Sequence, residues 1–293
     1  MSSIRAGSIL AGFMALTVPL MPVQAVLVKL SPRGARRFPH WYHRQVCRLL
    51  GIRLTIEGEV VRDRPVLLVA NHTSWLDIPV LSAVAPVSFV AKKEVGRWPF
   101  VSSLARLQRT VFVDRERRHA AGDSIGEISR RLEAGDAIVL FAEGTSSDGN
   151  RVLPFLSTLF GAVLPGGKGA APPAEAQVQT LSIVYTRLHG VPLGRADRPH
   201  VGWYGDMEMT SHAWQVLKSG PLDVTVRIGL PVSLETFADR KLLARTSEDA
   251  IRREVVRILR SRPPGETLEI AAPAAPVRRP AAGRAPSKDD TFR

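Results

Sequence analysis

Six short apolar runs, at residues 66–70, 87–91, 110–113, 137–142, 181–185 and 224–228, are spread along the chain with helical patterns between them. Each is short and rich in β-branched and aliphatic residues, the signature of a buried strand. Ile125, Ile128 and Leu132 fall on one face of a helix that runs into Gly135, a helix-ending residue. Ile251, Val255, Ile258 and Leu259 repeat that spacing after Thr246-Ser247-Glu248-Asp249, which reads as a helix start. Strands that alternate with helices predict an α/β fold, a single domain with a largely parallel, twisted sheet flanked by helices. Residues 165–176 read as a Gly/Pro/Ala-rich loop. Residues 263–293, with six prolines in 31 residues, read as a disordered tail.

The N-terminal fifth has a different character. No acidic residue precedes Glu57, while eight basic residues do. That segment therefore carries more than half of the net charge of +13. Within it, residues 6–28 form an uncharged run of 23, long enough as a helix to cross a hydrocarbon core. Pro19 and Pro22 would kink such a helix. A membrane span, a monotopic insertion and a cleaved signal peptide compete for this run. Its basic residues lie mainly after it, which favours an uncleaved anchor with the remainder on the cytoplasmic side. Tyr42, Val46, Leu49 and Leu50 then mark one helical face, and Arg37, Arg44 and Arg48 another. The two readings here are a basic amphipathic helix on an anionic bilayer and a surface helix packed on the domain. The expected division is an anchor at 1–37, a domain at 38–262 and the tail at 263–293.

The charge favours an anionic partner: a membrane surface, an acidic donor protein or nucleic acid. Nucleic acid fits least, since zinc-finger spacing and an RNA-binding aromatic signature are both missing. The single cysteine, Cys47, excludes an internal disulfide framework and a multi-cysteine zinc site.

Asn71-His72-Thr73-Ser74-Trp75-Leu76-Asp77 follows the first of the six runs, at the strand end where open α/β sheets place their sites. If a helix starts after His72, one turn returns the Asp77 carboxylate to the imidazole. The carboxylate then fixes the tautomer, and the other ring nitrogen can take a proton from an alcohol. A core histidine and a helix-capping aspartate would give the same spacing. Val111-Phe112-Val113-Asp114-Arg115 and Phe141-Ala142-Glu143-Gly144-Thr145-Ser146 end two further strands. Each alone is a strand followed by a polar turn.

Together, in this order, the three blocks resemble those of the glycerolipid acyltransferase superfamily, typified by 1-acylglycerol-3-phosphate acyltransferases, over roughly residues 60–230. The resemblance implies His72 as base and Asp77 as its partner. It implies that Asp114 and Arg115 help to hold the acceptor, together with Glu143, Gly144 and Thr145. The third block departs from the family pattern: Ala142 stands for a proline and Ser146 for an arginine. Thr180 stands where the fourth block has a proline. The family arginine is attributed to the acceptor's phosphate, and a serine cannot supply a bidentate guanidinium. Arg151 is placed to compensate, which keeps a glycerol-phosphate acceptor open.

Residues 143–155, 185–195 and 203–207 resemble, more narrowly, bacterial lyso-ornithine lipid O-acyltransferases. Their acceptor is a 3-hydroxyacyl amide of ornithine, which has a secondary hydroxyl and no phosphate. Asp148 and Asp206 are candidates for its amine, or else loop caps. The implied reaction is direct acyl transfer from acyl carrier protein or acyl-CoA, with no metal or redox cofactor. Backbone N–H groups near the 143–145 turn would face the oxyanion. The implied location is the cytoplasmic face of a bacterial inner membrane. An inactive lipid-binding module would have lost the His72/Asp77 pair. A Ser-His-Asp hydrolase would carry a G-x-S-x-G elbow between a strand and a helix; the one such spacing here, Gly122-Asp123-Ser124-Ile125-Gly126, falls inside the helical pattern of Ile125, Ile128 and Leu132.

Overall fold

The computed structural model describes residues 2–62, 64–113, 118–162, 164 and 175–260. The expected tail lies outside these residues, as does the expected loop apart from Glu175 and Ala176. Two helices, α1 (Ser2–Leu30) and α2 (Pro32–Leu50), precede the sheet. The chain continues through β1 (Ile52–Glu57), β2 (Val66–Ala70), α3 (Asp77–Val84), β3 (Val87–Lys92), α4 (Val101–Leu107) and β4 (Val111–Val113). Next come α5 (Arg118–Glu133), β5 (Ala137–Phe141), β6 (Gln177–Leu188), β7 (Val191–Pro192) and α6 (Met209–Ser219). β8 (Leu222–Ile228), β9 (Val232–Ser233) and α7 (Arg240–Leu259) complete it.

The sheet order is β1-β8-β6-β2-β5-β3-β4, with β7 and β9 beside β6. β2 runs parallel to β5 and β6, β3 to β4 and β5, and β1 to β8. The expected, largely parallel sheet is present, and the antiparallel pairs all involve β6, with β7, β8 and β9. The turn at His189-Gly190, where both residues have positive φ, reverses the chain into β7. All five residues of β2 are buried. Leu67 and Val69 join one core layer with Leu132 of α5 and Ile251 of α7. Val66, Leu68 and Ala70 join the other with Val80 and Leu81 of α3. Strand alternation thus feeds two faces from one run, which is why β2 reads as uniformly apolar.

Several elements differ from the sequence expectation. β1 was not anticipated, because Arg53, Thr55 and Glu57 interrupt its apolar residues; it is an edge strand. α4 and α6 were likewise not anticipated. α7 starts at Arg240 rather than near Thr246, because Asp239 caps it, accepting from the N–H groups of Lys241 (2.7 Å) and Leu242 (2.9 Å). Thr246 lies inside that helix and donates its hydroxyl to Leu242 O at 2.8 Å, the back-bonding a mid-helix threonine uses.

The N-terminal helices are fastened to the domain. α2 crosses residue 37 without a break, so the helix pair is the N-terminal structural unit. Its apolar face packs inward, with Val46 and Cys47 buried, as in the surface-helix reading. Arg33, Arg37, Trp41, Arg44 and Arg48 are exposed along its outer face. α1 buries only Ala6, Ile9, Thr17 and Gln24. Arg5 donates to Leu217 O, and to Leu50 O at 3.3 Å. Gln24 donates to Ala35 O (3.0 Å) and Leu107 O (2.8 Å). Leu10, Met14, Val18 and Val26 are exposed on the opposite side.

Candidate active site

β2 and β5 are in parallel register with Ala70 beside Phe141, so the blocks that follow them emerge side by side at the carboxyl end of the sheet. Asn71 continues the ladder with its side chain. Its Oδ1 accepts Ile183 N at 2.8 Å and its Nδ2 donates to Ile183 O at 3.0 Å, tying the β2 end to β6. His72 follows. Residues 73–76 form a turn before α3 begins at Asp77, the Asp77 N–H donating to Ser74 O at 3.0 Å. The helix therefore starts later than the sequence reading placed it, yet the carboxylate still returns to the imidazole.

His72 Nδ1 lies 2.8 Å from Asp77 Oδ2. The same oxygen accepts the N–H groups of Thr73 (2.7 Å) and Ser74 (3.0 Å). Asp77 Oδ1 accepts the Tyr185 hydroxyl at 2.7 Å. Asp77 is fully buried, and these donors compensate the desolvation of its charge. Burial, and then the Asp77 charge, hold the Tyr185 hydroxyl well above its usual range, so it remains a donor. The His72 ring stacks on Phe141 at 4.1 Å and 19°, and Phe141 on Phe89 at 6.0 Å. Its Nε2 makes no hydrogen bond among the described residues, and the side chain is 19% exposed. An imidazole held in one tautomer with its other nitrogen open is the arrangement of a general base.

Glu143 sits beneath this loop. Its Oε1 accepts His72 N at 3.0 Å and its Oε2 accepts Leu153 N at 3.2 Å. Burial pushes its carboxyl up to about 8, against the lowering by those two N–H groups. Both oxygens face the backbone, so in this structure Glu143 braces the His72 loop. Ser147 N donates to His72 O at 2.9 Å, and Trp203 N to Thr73 O at 2.9 Å. Ser146 donates its hydroxyl to Trp203 O. Gly144 has φ +74, and its N–H closes the turn on Phe141 O at 3.2 Å. The N–H groups of Thr145 and Ser146 have no protein acceptor among the described residues. Arg151 is exposed beside the same loops.

Asp114 and Arg115 lie outside the described residues. Asp148 holds its own loop, accepting Asn150 N at 3.0 Å, while Asp206 is exposed. Burial raises the Cys47 thiol to about 12, and it donates to Pro79 O at 3.5 Å. Sequence reading missed Tyr185 as a partner of Asp77 and Asn71 as a staple. The available signals were one polar-tipped aromatic in an aliphatic run and an amide at a strand end.

Residues 52–186 match the family model described as Acyltransferase. The chain is 50% identical over 250 residues to the lyso-ornithine lipid O-acyltransferase of Brucella abortus, covering 85% of this chain and 93% of that protein. It is 44% identical over 255 residues to the lyso-ornithine lipid O-acyltransferase of Rhizobium meliloti, covering 87% of each. Its fold matches the crystal structure of the 1-acyl-sn-glycerophosphate (LPA) acyltransferase PlsC from Thermotoga maritima with a TM-score of 0.62, at 20% identity, over 90% of this chain and all of that one.

Proposed function

The chain belongs to the acyltransferase family, and on that premise we propose that it transfers a fatty acyl group from an acyl thioester to the hydroxyl of lyso-ornithine lipid, forming ornithine lipid. The names of the Brucella and Rhizobium relatives support that acceptor. The observation that carries it is Ser146: the family's arginine position holds a hydroxyl bonded to Trp203 O and itself supplies no cation for a phosphate. A buried phosphate without a guanidinium would be poorly compensated, whereas a phosphate-free acceptor avoids the cost.

His72 Nε2 takes the proton from the acceptor hydroxyl while Asp77 supports the imidazolium. The oxygen attacks the thioester carbonyl carbon, and the N–H groups of Thr145 and Ser146 receive the oxyanion. Collapse breaks the carbon–sulfur bond, and the imidazolium returns its proton to the leaving thiolate. Acyl carrier protein is the preferred donor, since an acidic protein suits a chain of net charge +13; acyl-CoA is the alternative.

The catalytic domain works at the cytoplasmic face of the inner membrane. α1 is long and apolar enough to cross a bilayer. Its ties at Arg5 and Gln24 favour lying along the interface, with its exposed apolar face in the lipid and the arginines of α2 near the headgroups. Phe13 of α1 packs edge-on to Phe100 at 6.4 Å, and Trp98 packs edge-on to Trp203 at 6.0 Å.

A second acceptor, 1-acylglycerol 3-phosphate, is favoured by one observation: Arg151 is exposed and makes no ion pair among the described residues. Purified enzyme offered both acceptors decides between them. The expected outcome is a higher kcat/KM for lyso-ornithine lipid by tenfold or more, on the scale of about one charge-assisted bond. A higher value for lysophosphatidic acid transfers the assignment to the second acceptor.

A further inference from the structure

A small cavity adjoins the catalytic loop. Asn71 and Thr73, the sequence neighbours of His72, line it with Gly149, Tyr185, Arg151 and Arg198. Two guanidiniums thus share one cavity, and neither makes an ion pair among the described residues. Arg198 Nη1 donates to Asn150 Oδ1 at 2.9 Å, while its Nε is buried without an acceptor. Asn150 is held in turn: Asp148 accepts its N–H at 3.0 Å and its side-chain amide at 3.3 Å, and that amide also reaches Arg195 O at 3.1 Å. The Asp148 oxygens are therefore turned to Asn150. Gly149, at φ +77, separates the two sides of the cavity. A Cβ there would stand 3.2 Å from the Thr73 methyl and 3.6 Å from Arg198 Cβ. Burial and repulsion from Arg195 work against the Arg198 charge, and Asp148 opposes them. An anion entering the cavity would relieve that balance and satisfy the open Nε.

We propose that Arg198 and Arg151 form the receptor for the carboxylate of the lipid acceptor, with Asn150 as the strut that aims Arg198. This rests on the lyso-ornithine reading, in which carboxylate and hydroxylated acyl amide branch from the same ornithine carbon. The carboxylate then lies a few bonds from the hydroxyl at His72, matching a cavity walled by the residues on either side of that histidine. An anion held there sets the hydroxyl's reach to Nε2, so the pair selects acceptors as well as binding them.

The test compares full-length enzyme on lyso-ornithine lipid, its carboxyl methyl ester and lysophosphatidic acid. Wild type is expected to lose about tenfold to a hundredfold in kcat/KM on the ester, mainly through KM. Arg198→Gln and Arg151→Gln should each lose more kcat/KM on the acid than on the ester, so that the acid-to-ester ratio falls. Arg151 is exposed, so its variant reports even where Arg198→Gln folds poorly. Equal turnover of acid and ester by wild type overturns the proposal. So does an acid-to-ester ratio in Arg151→Gln and every folded Arg198 variant that equals the wild-type ratio. The acceptor reading fails by a different result, wild-type preference for lysophosphatidic acid, and the carboxylate receptor falls with it.

Discussion

At Asp77, one buried carboxylate takes four hydrogen bonds, from His72, Thr73, Ser74 and Tyr185. Replacing His72 with Ala is expected to abolish acyl transfer while leaving the fold intact, a loss on the order of 10²–10⁴-fold, checked by rate and circular dichroism. Tyr185→Phe removes one donor from a charged acceptor without changing the packing. Its kcat should fall about tenfold to a hundredfold with KM nearly unchanged, since the tyrosine acts through Asp77. A KM effect alone would instead assign Tyr185 to substrate contact. Glu143 gives a pH signature. Burial raises its folded pKa from 4.5 to about 8, so its contribution is complete below about pH 4.5 and is lost as pH rises through 8. Wild-type Tm should therefore fall between about pH 5 and 8 more steeply than that of Glu143→Gln, and parallel slopes would point to other groups. Cys47, with its thiol raised to about 12, should resist alkylation in the folded state, and Cys47→Ala should retain activity.

Between elements, the main polar joint is Asp136, only 2% exposed at the start of β5. It pairs with Arg36 of α2 at 2.7 Å, with Arg109 after α4 at 2.8 Å, and with Arg131 of α5. The joint fixes α2 and α5 at the start of β5. Asp136→Ala would leave three guanidiniums facing one another and should cost roughly 3–5 kcal/mol of stability, read by denaturant unfolding. A cost below about 1 kcal/mol would mean that solvent already screens the cluster. β6 supplies the other joint. It pairs with β2 through Leu181 and then runs on, which carries Tyr185 to the first turn of α3. The strand's length, beyond its pairing, thereby completes the site.

For the whole molecule, the asymmetry of charge and apolar surface is the relevant property. The exposed arginines of α2 and the exposed apolar face of α1 belong to one helix pair tied to the catalytic domain. Changing Arg37, Arg44 and Arg48 together to Gln should weaken binding to anionic vesicles by about 1 kcal/mol per residue, with the wild-type difference vanishing at high salt. Flotation with vesicles of defined anionic content measures it. Unchanged flotation would leave α1 as sufficient by itself.

The sequence determined the α/β class and the positions of the blocks that carry chemistry, because strand burial and the H-x4-D spacing are local properties written over a few residues. It also placed His72 against Asp77, five residues apart, where a turn suffices to bring them together. Only the tertiary structure decided that Tyr185 completes that pair from 108 residues away, that Glu143 braces the loop 71 residues earlier, and that Arg198 shares a cavity with Arg151. It also decided that α2 turns its apolar face to the domain. Pairings across such separations depend on which strands become neighbours and in what register, and no local periodicity encodes that choice.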